Sequence, residues 1–111
     1  MVRARHYSRV SAIKKIIVDL LLVARDQNKV FVELADARRL SPADAEEKYD
    51  LGDGKGNGYI EFDIEEERLQ RKFNKRLGFD EYFIVGDVDL RNRNAEPFST
   101  TGGPKLWKPK Q

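Results

Sequence analysis

At 111 residues, with 21 basic side chains against 19 acidic for a net charge of +2, the chain has length for one domain and one hydrophobic core. Cysteine is absent, which excludes disulfides and thiolate chemistry, and the single histidine leaves a zinc site of the usual type short of ligands. The near-neutral total conceals a segregation: residues 1–15 hold five basic groups and no acid, residues 91–111 five against one, and residues 16–90 eleven against eighteen.

That segregation implies an acidic body with two basic arms, able to attach to an acidic surface, to nucleic acid or to a neighbouring copy. The chain divides into a basic arm over 1–9, a single α/β-type domain over 10–90 and an extended tail over 91–111. No hydrophobic signal region precedes the first apolar run, and charges break that run. The expectation is a protein that stays in the cytoplasm, or is made there and packaged into an assembly, with no membrane span.

In chain order, MVRARHYSR (1–9) lacks a helical apolar stripe and reads as an arm. Arg3, Arg5 and Arg9 supply its charge, His6 reads as a solvated residue or a phosphate contact, and Tyr7 stands among cations as a base-stacking aromatic would. From Val10 to Ala24, VSAIKKIIVDLLLVA has its apolar residues on one half of a helical wheel, a stripe wide enough for a central helix around which the core is built. Val18 and Leu22, four apart, form an apolar ridge inside its charged half; a loop, the C-terminal tail or a partner surface would cover it.

KVFVELADARRL (29–40) fits a strand and a helix alike, and its β-branched and aromatic residues place a short strand at Val30 to Leu34. Ser41-Pro42-Ala43-Asp44 is a helix start, with a capping serine and proline at the first helical position. The glycine-rich stretch that follows resembles part of an EF-hand calcium loop in Asp53, Asn57, Gly58 and Ile60. It departs from that pattern at Lys55, where a second oxygen ligand belongs, and at Ile64, where the bidentate glutamate belongs, so a glycine loop leading into a strand is the reading adopted.

YIEFDI (59–64) alternates strictly, as a half-buried strand does. Three glutamates then open an expected helix over Glu65 to Leu77, with Leu69, Phe73 and Leu77 as its seam, and with Arg68, Arg71, Lys72, Lys75 and Arg76 on one basic face able to grip phosphates. Tyr82 to Leu90 reads as a central strand, giving a strand–helix–strand unit suited to a parallel crossover, with an antiparallel pairing left open. Asp87 and Asp89 fall on one face; the pair resembles the DxD of metal-dependent transferases and of topoisomerase-primase domains, which makes these two the weak candidates for a divalent metal. From Arg91 the pattern dissolves into a tail in which Phe98, Leu106 and Trp107 stand out as anchors for a pocket on this or another chain.

The fold expected is α+β, or small α/β: a long N-terminal helix packed on a small sheet, with an extended C-terminal tail. The function expected is a non-catalytic interaction or assembly subunit, such as a virion or large-complex component. It would engage a protein partner or its own copy through Val18, Leu22, Phe98, Leu106 and Trp107, without a cofactor. The first alternative is a nucleic-acid-binding protein using Arg3, Arg5, Arg9 and the basic face at 68–76; the second is a divalent-metal-dependent phosphoryl-transfer enzyme.

Overall fold

The computed structural model describes residues 1–111 except 26, 50, 52, 53, 77, 100–104 and 107–111; for 105 and 106 it describes the backbone alone. The elements are β1 (Val2–Ser8), α1 (Val10–Asp19), β2 (Leu21–Leu22), β3 (Lys29–Leu34), α2 (Pro42–Lys48), β4 (Gly58–Ile64), a 3-10 turn (Glu66–Arg68), β5 (Leu69–Asn74), β6 (Phe79–Val85), β7 (Val88–Asp89), β8 (Glu96–Ser99) and β9 (Lys105–Leu106). Among the described residues they build a seven-stranded sheet in the order β5-β6-β3-β1-β4-β8-β9, and β2 pairs with β7 in a separate small ribbon. Each described pairing is antiparallel.

The sheet, and not a helix, organises the molecule, which overturns the expected fold class. The expected N-terminal arm is its central strand: β1 pairs along its whole length with β4, from Val2 opposite Ile64 to Ser8 opposite Gly58. Alternation sends Ala4 inward to Ile60, Phe62 and Ile64, all fully buried. The same alternation sends Arg3 and Arg5 to the other face, where carboxylates from β3, β4 and β8 receive them.

The first helix is shorter than its apolar run. Leu20 takes a left-handed conformation (φ 51°, ψ 41°) and closes α1 by donating its N–H to the Ile16 carbonyl. That conformation costs a non-glycine residue about 1–2 kcal/mol. The Leu90 N–H bonded to the Leu20 carbonyl at 2.9 Å and the β2–β7 pairing hold it there. Ile13 is the one residue of α1 that is fully buried.

The strand expected at Val30 to Leu34 is β3, and the helix started by Ser41 is α2, with Ser41 Oγ accepting from the Asp44 N–H at 3.2 Å. The helix expected over Glu65 to Leu77 is absent. After one 3-10 turn the chain runs as β5 and returns as β6, a hairpin in register from Leu69 opposite Ile84 to Asn74 opposite Phe79. The parallel strand–helix–strand unit therefore gives way to an antiparallel hairpin. Leu69 and Phe73 are four apart, a spacing that serves one face of a strand as well as one face of a helix. The tail, too, joins the sheet: β8 pairs with β4 from Gly58 opposite Ser99 to Glu61 opposite Glu96.

Candidate functional site

β1 and β3 pair at only two positions, Ala4 opposite Leu34 and Arg5 opposite Glu33. Beyond them β3 turns to β6, pairing Lys29 to Val32 with Val85 to Tyr82, while β1 stays with β4. The strands part, and the imidazole of His6 occupies the gap, its Nδ1 2.8 Å from the Phe31 carbonyl. A carbonyl oxygen only accepts, so Nδ1 carries the proton and Nε2 presents a lone pair. Burial moves the His6 pKa below its ordinary 6.5, against a smaller upward pull from the Phe31 carbonyl, so the ring is neutral at pH 7.

The parted strands open a cleft of about 370 Å³. His6, Tyr7, Ser8, Lys29, Val30 and Phe31 come from the strands, Ala12 and Ile16 from α1, residues 21–23 and Arg25 from the segment after it, and Tyr49, Leu51 and Lys55 from the far side. Three cations thus line the cleft, Arg25, Lys29 and Lys55, and no carboxylate does so among the described residues. The loop carrying Lys55 is pressed onto α2: a Cβ added at Gly56 would lie 2.3 Å from the Pro42 carbonyl oxygen, and the Gly56 N–H donates to Glu46. Only glycine fits there.

Behind the aromatic wall lies a buried ionic cluster. Glu33 accepts from Arg5 Nη1 at 2.5 Å, from the Tyr7 hydroxyl at 3.1 Å and from the Tyr49 hydroxyl at 3.2 Å. Arg5 also donates to Glu61 and to the carbonyls of Ala35 and Ala37. Burial alone would lower the Arg5 pKa, and the bonds to Glu33 and Glu61 more than reverse it. Burial pushes the Tyr7 hydroxyl up to about 12 and raises that of Tyr49 as well. Next to the cleft, sharing Tyr49 with it, a shallower hollow holds Lys48, Asp80 and Glu81. Glu81 is half-buried and accepts from the Asn74 side chain at 2.7 Å.

The residues singled out from sequence are dispersed. Arg3 pairs with Asp63 and Glu96, Arg5 is the buried cation just described, and Arg9 is exposed. Arg68 donates to the Asp87 carbonyl, and Arg71, Lys72, Lys75 and Arg76 lie along a strand and its turn instead of one helical face. Val18 is 70% exposed, whereas Leu22 is buried in the core, so the two form no ridge. Phe98 stacks on Tyr59 at 4.8 Å between ring centroids, Leu106 sits opposite it in the β8–β9 pair, and Trp107 lies outside the described residues.

Asp87 accepts from the Ala24 N–H, and Asp89 is tied to Arg91, whose hydrogen bonds lower its pKa to about 2. No group of three ligating side chains gathers among the described residues; Asp53 of the calcium-like loop lies outside them. Nor, among them, is any helix long and apolar enough to cross a membrane. Sequence alone places His6 and Tyr7 in a solvated arm and gives no functional role to Lys29, Phe31 or Tyr49. The signal that could find them is the two-residue alternation of Arg3, Arg5 and Tyr7 against Ala4, His6 and Ser8.

No curated protein and no solved structure matches the chain. A family model, Tox-ART-HYD1, described as "HYD1 signature containing ADP-ribosyltransferase", matches residues 4–93. The match includes every residue lining the cleft and the hollow beside it. It overturns the expectation of a non-catalytic assembly subunit, and with it the nucleic-acid alternative and the reading as a virion or large-complex component. Because that match covers most of its length, the chain belongs to the Tox-ART-HYD1 family of ADP-ribosyltransferases.

Proposed function

We propose that the protein transfers ADP-ribose from NAD to an acceptor nucleophile, with the dinucleotide held in the cleft between β1 and β3. The observation that carries this reading is a concave site lined by three cations and no described carboxylate, beside a neutral histidine and aromatic rings. A pyrophosphate calls for fixed positive charge, which Arg25, Lys29 and Lys55 supply. A ribose hydroxyl calls for an acceptor, which His6 Nε2 offers because Nδ1 is committed to Phe31. A nicotinamide ring calls for flat apolar surface, which Tyr7, Phe31 and Tyr49 give.

In the transfer the bond from the ribose C1′ to the nicotinamide nitrogen breaks, and neutral nicotinamide leaves with the bonding pair. The acceptor forms the new bond to C1′ and releases its proton to solvent. Positive charge develops on the sugar as the bond lengthens, and a facing carboxylate stabilises it. Glu33 and Glu81 both line the adjoining hollow; Glu33 is fully engaged with Arg5, Tyr7 and Tyr49, so Glu81 is assigned that role.

The test is nicotinamide release from NAD by the wild-type chain, with and without added acceptor protein. Glu81→Gln should lower kcat by about 10²-fold with KM little changed, as loss of one electrostatic stabiliser does. Lys29→Ala should raise KM. A wild-type chain that consumes no NAD above the buffer rate, with or without acceptor, sinks the proposal.

A further inference from the structure

The cluster under the cleft has no part in the chemistry just described, yet it is built at some cost. Arg5 is 5% and Glu33 4% exposed, and two buried ions are tolerated only when their pairing and hydrogen bonding are complete. Completion is what the structure shows: among the described residues, no buried side-chain nitrogen or oxygen lacks a partner. Glu33 spends its two oxygens unequally. Oε2 takes Arg5 and Tyr7, whereas Oε1 takes Tyr49, with Lys48 Nζ at 3.9 Å.

Both tyrosines line the cleft, and they come from different elements, Tyr7 from β1 and Tyr49 from the end of α2. α2 is only seven residues long, and within it Ala45 alone is fully buried, so helix packing by itself leaves the Tyr49 ring weakly fixed. The tyrosine rings meet at 6.0 Å between centroids, tilted by 31°. The Tyr7 hydroxyl also accepts from the Leu40 N–H at 2.9 Å, which ties the segment before α2 to the same point.

We infer that Glu33, held by Arg5, is a positioning residue for the dinucleotide cleft: by accepting from both hydroxyls it sets Tyr7 and Tyr49 as one rigid aromatic wall against which the nicotinamide end stacks. Glu33 is buried and does not line the cleft, opening instead on the adjoining hollow beside Tyr49, so it acts on the cleft through the two rings. This inference rests on the reading of the cleft as an NAD site. Its geometric half, the fixing of the rings, is testable without NAD.

The experiment compares wild type, Glu33→Gln and Tyr49→Phe as full chains. The readouts are KM and kcat for nicotinamide release, melting temperature, and the nuclear Overhauser signal between the Tyr7 and Tyr49 rings. Tyr49→Phe removes one hydroxyl and keeps the ring, so it carries the test if Glu33→Gln fails to fold. The expected result is a KM raised about tenfold in each variant with kcat within about twofold, in line with loss of one buried hydrogen bond, together with a weakened ring-to-ring signal.

KM does not depend on the folded fraction. Variants that lose apparent kcat and melting temperature but keep the wild-type KM and the wild-type Overhauser signal show a merely structural role and overturn the inference. If wild type neither binds nor cleaves NAD, the functional reading fails and takes the nicotinamide role with it. The Overhauser signal then decides the geometric half: a weaker signal between the two rings in Tyr49→Phe upholds it, and an unchanged signal overturns that as well.

Discussion

The two flanks of β1 behave differently. Towards β4 the strand is paired over seven residues; towards β3 it is paired over two, and side chains take over. On the β4 side the backbone groups satisfy one another and the inward residues pack: Ile60, Phe62 and Ile64 are fully buried. On the β3 side the Phe31 carbonyl is met by the His6 ring, and the space left by the missing pairing is the cleft. A complete ladder yields core, and an interrupted one yields a site, provided polar side chains satisfy the backbone groups set free.

The comparison can be broken first on its packed side. Phe62→Ala leaves a cavity in the middle of the sheet and should cost about 3–5 kcal/mol, read as a lowered urea midpoint. On the open side the comparable blow is electrostatic. Arg5→Met strands the Glu33 and Glu61 carboxylates without their shared cation, for a loss of about 3–5 kcal/mol, and Arg5→Met with Glu33→Leu should recover part of it, because the more deeply buried of the two stranded charges is then gone. A double variant as unstable as the single would show that Arg5 contributes by shape alone.

The His6 side sharpens the contrast through pH. Its folded pKa lies below 6.5, so above pH 6.5 both states are neutral; below it the unfolded chain takes a proton that the folded chain refuses. Stability should therefore fall as the pH drops from 6.5 towards the folded pKa, by up to about 1.4 kcal/mol per unit, and His6→Gln should flatten that slope. The smallest effect belongs to the sheet edge. Arg71 and Asp80 are exposed and 3.9 Å apart, and Arg71→Gln should change stability by less than about 1 kcal/mol.

About half of this architecture is visible in the sequence. β3, β4 and the start of α2 are readable because alternation and a capping serine are local signals. β1 is not: Arg3 and Arg5 look solvated until Glu33, Glu61 and Asp63, up to 60 residues away, are folded against them. α1 reads too long because its apolar run continues through Leu20 to Val23, and only the β7 ribbon makes Leu20 turn. β5 reads as a helix because glutamates followed by cations suit a helix dipole, while Leu69 and Phe73 suit either period.

The site is less legible than the fold, since its residues are separated in sequence and converge only where β1 leaves β3. His6 shows the difficulty: one histidine among arginines carries no metal spacing and no catalytic partner in the chain nearby, and its role comes from the backbone carbonyl it meets across the gap.

Amide and side-chain NMR shifts during a titration with NAD test the central claim most directly. The account predicts saturable shifts at His6, Lys29, Phe31, Tyr49 and Lys55, with Phe62 and Ile64 on the paired flank unmoved. Saturable shifts confined to the β5–β6 hairpin or to the β8 edge, or no shift at millimolar NAD, would contradict it.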